Sequence, residues 1–122
     1  MLAVGNRVRT SADFSFTVRS GARSGRRNVV LYAVSTGSAP TRVGFIVAKS
    51  VGNAVTRNLV KRRLREAAAQ SLREYPTGLT IVVRALPPAA TASWPELRAD
   101  YLSALRNCAG KLDRIQTPSQ KG

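Results

Sequence analysis

Between residues 49 and 66 the chain reads KSVGNAVTRNLVKRRLRE, a turn-rich lead-in that opens onto a strongly basic helix with an apolar back. At about 100° per residue, Val60, Leu64, Ala67, Ala68 and Ser71 share one stripe, wide enough to dock on a sheet. Arg57, Lys61, Arg65, Asn58 and Arg62 follow one another around the adjoining arc. Arg63 points away from both sets, and Leu59 is an apolar residue on an exposed side. Glu66 and Glu74 are too few to pair these cations, as a merely solvated helix face would require. Such a helix needs a sheet behind it and a polyanion in front, and Lys49 adds a cation on the strand side of the turn.

The neighbouring segments supply the sheet. Asn28 to Ser35 (NVVLYAVS) and Arg42 to Ala48 (RVGFIVA) are rich in β-branched and aromatic residues and are separated by TGSAP, which predicts a hairpin. Leu79 to Ala85 (LTIVVRA) is a near-continuous apolar run of the kind found in an inner strand. With the basic helix running from Ala54 to Tyr75 between strands, a crossover follows. Thr10 and Asp13 have capping-box spacing and Gly21 offers a stop, so residues 11 to 20 form a short helix that buries Phe14 and Val18. Arg23 to Arg27 is a polar connector with room for a short strand. Ser93 and Glu96 form a second capping box, with Pro95 in the first turn of a helix that Gly110 ends. The reading is one domain over residues 1–112 and a frayed polar tail over 113–122.

Composition narrows the partner. Twenty Lys and Arg against 6 Asp and Glu give a net charge of +14, which repels itself unless a polyanion is at hand. Most of these cations are Arg, whose planar fork grips phosphate and stacks on bases. Nucleic acid is therefore the leading partner. Arg7, Arg9, Arg19, Arg23, Arg26 and Arg27 give the N-terminal third a positive field of its own. Its Arg- and Ser-rich character loosely resembles a mitochondrial presequence, but Asp13 and the cap at Thr10 favour a folded helix. A single cysteine, Cys108, and no long apolar run predict a reducing, cytoplasmic setting.

Protein-borne catalysis finds little support. The chain has no histidine, Cys108 has no thiolate partner, and the acids Asp13, Glu66, Glu74, Glu96, Asp100 and Asp113 are dispersed. Cys108 and Trp94 are most simply packing residues. Alternation places Val30, Tyr32 and Val34 on one sheet face, where Tyr32 could stack on an unpaired base, and Val29, Leu31 and Ala33 on the other.

Lys49, Gly52, Ala54, Val55, Arg57, Asn58, Lys61, Arg62 and Arg65 match in type and spacing a signature that resembles the protein subunit of bacterial ribonuclease P. Arg7, Asp13-Phe14, Gly21, LYAV at 31 to 34, RVGFIV at 42 to 47 and IVVRALPPA at 81 to 89 stand in the same order as in that family. The resemblance implies an α/β (α+β) two-layer sandwich of order αβββαβα, with a mixed sheet and a left-handed βαβ crossover carrying the basic helix. The fourth strand then falls near Arg23 to Arg27.

It also implies a role in tRNA 5′ maturation. The partner would be a catalytic RNA that removes the 5′ leader of precursor tRNA with RNA-bound Mg2+, and no cofactor is assigned to the protein itself. Lys49, Asn53, Arg57, Asn58, Lys61, Arg62 and Arg65 would meet the ribozyme; Phe14, Val18 and Tyr32 would line the leader cleft. No membrane and no obligate protein partner is implied. The chain departs from the family pattern at Leu59 and Ser50, where basic residues are common, and at Val18, where a second Phe is common. Arg63 is a candidate to compensate. The rival readings are a ribosomal or RNA-chaperone protein, an unaided nuclease and a membrane-surface helix.

Overall fold

The computed structural model of the chain describes residues 3–116. Its elements are α1 (Ser11–Ser20), β1 (Ala22–Gly25), β2 (Val29–Pro40), β3 (Arg42–Ile46), α2 (Ala54–Ser71), β4 (Thr77–Ala85) and α3 (Trp94–Gln116). This is the expected αβββαβα order, and β1 supplies the short fourth strand.

The sheet runs β1-β2-β4-β3, with β1 and β4 antiparallel to β2 and with β3 parallel to β4. Consequently β2 and β3 do not form the predicted hairpin. The apolar run of β4 is buried from Leu79 to Val83, and a strand buried on both faces takes the interior of a sheet. It therefore inserts between the two segments that sequence proximity would have paired. β2 instead continues to Pro40 through a register shift after Ser35, with Gly37 at φ 70 in the irregular stretch.

One face of the sheet carries the main core. Val29, Leu31, Ala33, Ile81 and Val83 meet Val60, Leu64, Ala67 and Ala68 of α2 and Leu97, Tyr101, Ala104, Leu105 and Cys108 of α3. The stripe expected on α2 is the set the structure buries, Ser71 included. Inside this core the Ser71 Oγ donates to Ala68 O at 2.7 Å and lies 3.0 Å from the Tyr101 hydroxyl, so neither buried oxygen is orphaned. Cys108 packs here as well, its thiol directed at Ala22 O and Leu31 O.

Two helix ends differ from expectation. α2 stops at Ser71 rather than Tyr75, because Arg73 and Glu74 donate to carbonyls three residues back and wind the chain into a tight turn before Pro76. α3 does not end at Gly110 but continues to Gln116. A mid-helix glycine costs about 1 kcal/mol relative to alanine, and the packing of Leu105, Cys108 and Leu112 on the core offsets it. Of the expected tail, 113–116 is thus helical and 117–122 lies outside the described residues. The capping box of α3 forms in both directions, Ser93 N to Glu96 Oε1 at 2.9 Å and Glu96 N to Ser93 Oγ at 3.2 Å.

α1 sits on the opposite face of the sheet, over Val30, Tyr32 and Val82. Its cap is one-sided: Thr10 Oγ1 accepts from Asp13 N at 3.1 Å, while the Asp13 carboxylate turns to Arg42 of β3 at 3.3 Å. That ion pair is part-exposed, so it orients α1 on the sheet edge more than it stabilises the fold. Gly21 ends α1 in extended backbone that leads straight into β1.

Candidate nucleic-acid interface

The basic helix is set by its first turn. Asn53 caps it, its Oδ1 accepting from Thr56 N at 2.9 Å, so one candidate RNA contact already has a structural task. From that start Asn58, Arg62 and Arg65 are exposed, while Arg57 and Lys61 are half-buried along the edge of the apolar stripe. The Arg57 Nε is buried and has no hydrogen-bond partner among the described residues. Lys49, in the turn before α2, is exposed. Arg63 does not join this face; its Nη1 donates to Ala92 O in the loop before α3 at 3.1 Å. It therefore does not take the place of the cation missing at Leu59, which is 38% exposed.

The second part of the site lies where α1 crosses the sheet. A cleft of about 320 Å³ is lined by Phe14, Ser15, Val18, Arg19, Ile46 and Arg84. Another of about 180 Å³ is lined by Phe14 and Gly44 together with Lys61 and Arg65 of α2. Phe14 borders both, so a cationic and partly apolar track leads from the basic helix into the groove beside α1. Chemically such a track suits an unpaired strand, with phosphates on the guanidinium and ammonium groups and bases against the ring.

Tyr32 is placed differently from an open stacking platform. It is 8% exposed and packs with Val30 and Val82 beneath Phe14 and Val18, forming the floor of the α1 side. Two further cations line this cleft: Arg19, which belongs to the N-terminal positive field, and Arg84, which the sequence reading does not include as a site residue. For Arg84 a signal existed, since a lone charge between Val83 and Ala85 has to face away from the core to which its neighbours belong. Among the described residues no three of His, Cys, Asp and Glu gather closely enough to hold a metal ion, and no helix is long and apolar enough to cross a membrane.

A mixed sheet backed by one cationic helix and crossed on its other face by a short aromatic one defines a small α+β domain of polyanion-binding character. A family profile described as Ribonuclease P matches residues 2–109, and the chain belongs to that family. It is 66% identical to the ribonuclease P protein component of Pseudarthrobacter chlorophenolicus, with all of this chain and 91% of that protein covered. To the corresponding protein of Kocuria rhizophila it is 63% identical over 89% of this chain and 100% of the relative. Among solved structures, the RNase P protein of Staphylococcus aureus superposes with a TM-score of 0.73 at 27% identity, covering 83% of this chain and 93% of that one. That of Thermotoga maritima gives 0.71 at 25% identity, over 80% and 92%.

Proposed function

We propose that this chain serves as the protein component of ribonuclease P, binding the catalytic RNA through α2 and the 5′ leader of precursor tRNA in the cleft beside α1. The observation that carries this reading is the position of Phe14, which borders both the cavity shared with Lys61 and Arg65 and the groove holding Val18 and Arg84. One bound strand could thereby run from the ribozyme contact into the leader groove. Phe14 and Val18 offer the contact surface, with Tyr32 as its floor. The orphaned Nε of Arg57 gains a partner when a phosphate docks.

In this reading the hydrolysis belongs to the RNA and its magnesium ions, in the cytoplasm. The protein's share is electrostatic and positional: it lowers the repulsion between two polyanions and holds the substrate in register. Neutralising about six phosphates gives affinity a log–log salt slope of roughly −4 to −5.

The deciding experiment adds the purified chain to a bacterial ribonuclease P RNA at low magnesium. Restored cleavage of precursor tRNA is expected, with the protein alone leaving the substrate intact. Binding without activation would instead mark a general RNA-binding protein, and cleavage without any RNA subunit would mark a nuclease.

A further inference from the structure

On another flank of α2 from Lys61 and Arg65, a cleft of about 250 Å³ opens towards the start of α3, lined by Arg62, Arg63, Glu66, Gln70 and Trp94. We propose that it binds one unpaired guanosine of the RNA partner, with Trp94 stacking on the base, Glu66 and Gln70 reading its Watson–Crick edge, and Arg62 meeting its phosphate. The inference rests on the proposed RNA-binding function but concerns a site separate from the cleft beside α1.

Trp94 is held in place before any ligand arrives. It opens α3 directly after the reciprocal Ser93–Glu96 cap, and it packs against the core while also lining the cleft. A half-buried aromatic ring fixed in the wall of a cleft is a stacking surface that loses little freedom on binding. The volume lies below the roughly 300–1,000 Å³ of sites for drug-sized ligands, and it suits a single base.

The choice of base follows from two side chains one helical turn apart. Gln70 Oε1 accepts from Arg98 Nε at 2.6 Å, which orients the amide and leaves its NH2 as the group available to a ligand. Glu66 is exposed, and as a carboxylate it only accepts. Among the described residues it forms no ion pair, although two arginines line the same cleft; Arg63 is turned away to Ala92 O. A donor beside a two-oxygen acceptor complements guanine, which presents O6 as acceptor and N1–H and N2–H2 as donors. Adenine sets its N1 lone pair against the carboxylate, and uracil supplies one donor between two acceptors. A carboxylate facing a phosphate-binding partner is otherwise repulsive, so its presence among these cations is most useful when it pairs with a base.

Trp94 is the sole tryptophan of the chain, so its fluorescence reports directly on the cleft. The full-length protein is titrated with a five-nucleotide uridine RNA carrying a central guanosine, and with the same RNA carrying a central adenosine. Saturable quenching is expected, with the guanosine RNA bound roughly tenfold more tightly, as one bidentate base contact warrants. Glu66→Gln, an exposed substitution, should bring the two affinities to within about twofold, because an amide replaces one acceptor by a donor. The proposal is overturned if the wild type shows no quenching, if it binds both RNAs equally, or if Glu66→Gln keeps the preference. No ribozyme enters this measurement. A protein that activates the catalytic RNA yet fails here loses this inference alone, whereas one that passes here without activating it loses the functional reading alone.

Discussion

The ring of Phe14 lies against Gly44, where a Cβ would stand 2.5 Å from its Cζ atom and 2.9 Å from the Val8 Cβ. Only a glycine in β3 lets α1 approach the sheet this closely. Gly44→Ala should therefore cost about 1–3 kcal/mol through overpacking and shift Phe14 out of the track it shares with Lys61 and Arg65. A lower urea midpoint, together with a smaller ratio of precursor to mature tRNA affinity, is the expected pair of results. Unchanged leader preference would mean that Phe14 does not position the leader.

Arg65 is exposed on α2 and takes no part in the core. Arg65→Ala should weaken binding to the catalytic RNA, lower the steepness of its salt dependence by about one unit, and leave the melting temperature in place. Arg57→Ala should act similarly on affinity. The side chain is half-buried and its buried Nε has no partner among the described residues, so removing it abolishes an orphaned donor and should not destabilise the fold. Titrations over a range of potassium chloride, paired with calorimetric melting, separate the two effects.

Asn53 allows capping and RNA contact to be told apart. Asn53→Ala removes the acceptor for Thr56 N and should cost about 1 kcal/mol. Asn53→Asp keeps an acceptor and adds a favourable charge at the helix start, so stability should hold or rise. The same aspartate brings a negative charge to the end of α2 proposed to meet RNA and should reduce RNA affinity. A loss of affinity in the alanine variant alone would assign Asn53 to capping only.

Burial pushes the Cys108 thiol up to about 11 from its ordinary 9.0, an effect that the nearby Lys111 partly opposes. The folded chain then holds this proton more tightly than the unfolded chain does. Its contribution to stability is complete below pH 9 and is lost as pH rises from 9 towards 11. Tyr101, whose hydroxyl burial also pushes upward, adds a loss of the same sign at higher pH. Urea unfolding at pH 8, 9 and 10 should show declining stability, with a shallower decline for Cys108→Ala. An identical slope in that variant would count against the assignment.

The apolar stripe of α2 was fully legible, because Val60, Leu64, Ala67, Ala68 and Ser71 follow one helical period and each is buried. Alternation likewise assigned Tyr32 and Val30 to one face of β2 and Leu31 to the other. What alternation cannot carry is whether a face stays open. The ring of Tyr32 is covered because α1 lands on it, and that landing depends on Gly44 of β3, two strands over from β2 in the sheet. Strand neighbours were hidden for a related reason. The character of β4 as an inner strand was readable, but the two segments it separates could be known only once its partners were. Trp94 was legible as a packing residue, and the cleft on its other side emerges only when α2 and α3 are docked.

Because β4 occupies the interior of the sheet, the last strand to be translated is the one that both β2 and β3 require. No sheet beyond β1 and β2 can close until β4 has left the ribosome, so β2 and β3 wait for a strand made after the whole of α2. During that interval the nascent polypeptide already carries most of its arginines unshielded. A folded nucleic-acid-binding surface is thereby coupled to the emergence of β4, and truncation ahead of Thr77 should leave a sticky, unfolded polycation rather than a smaller working domain.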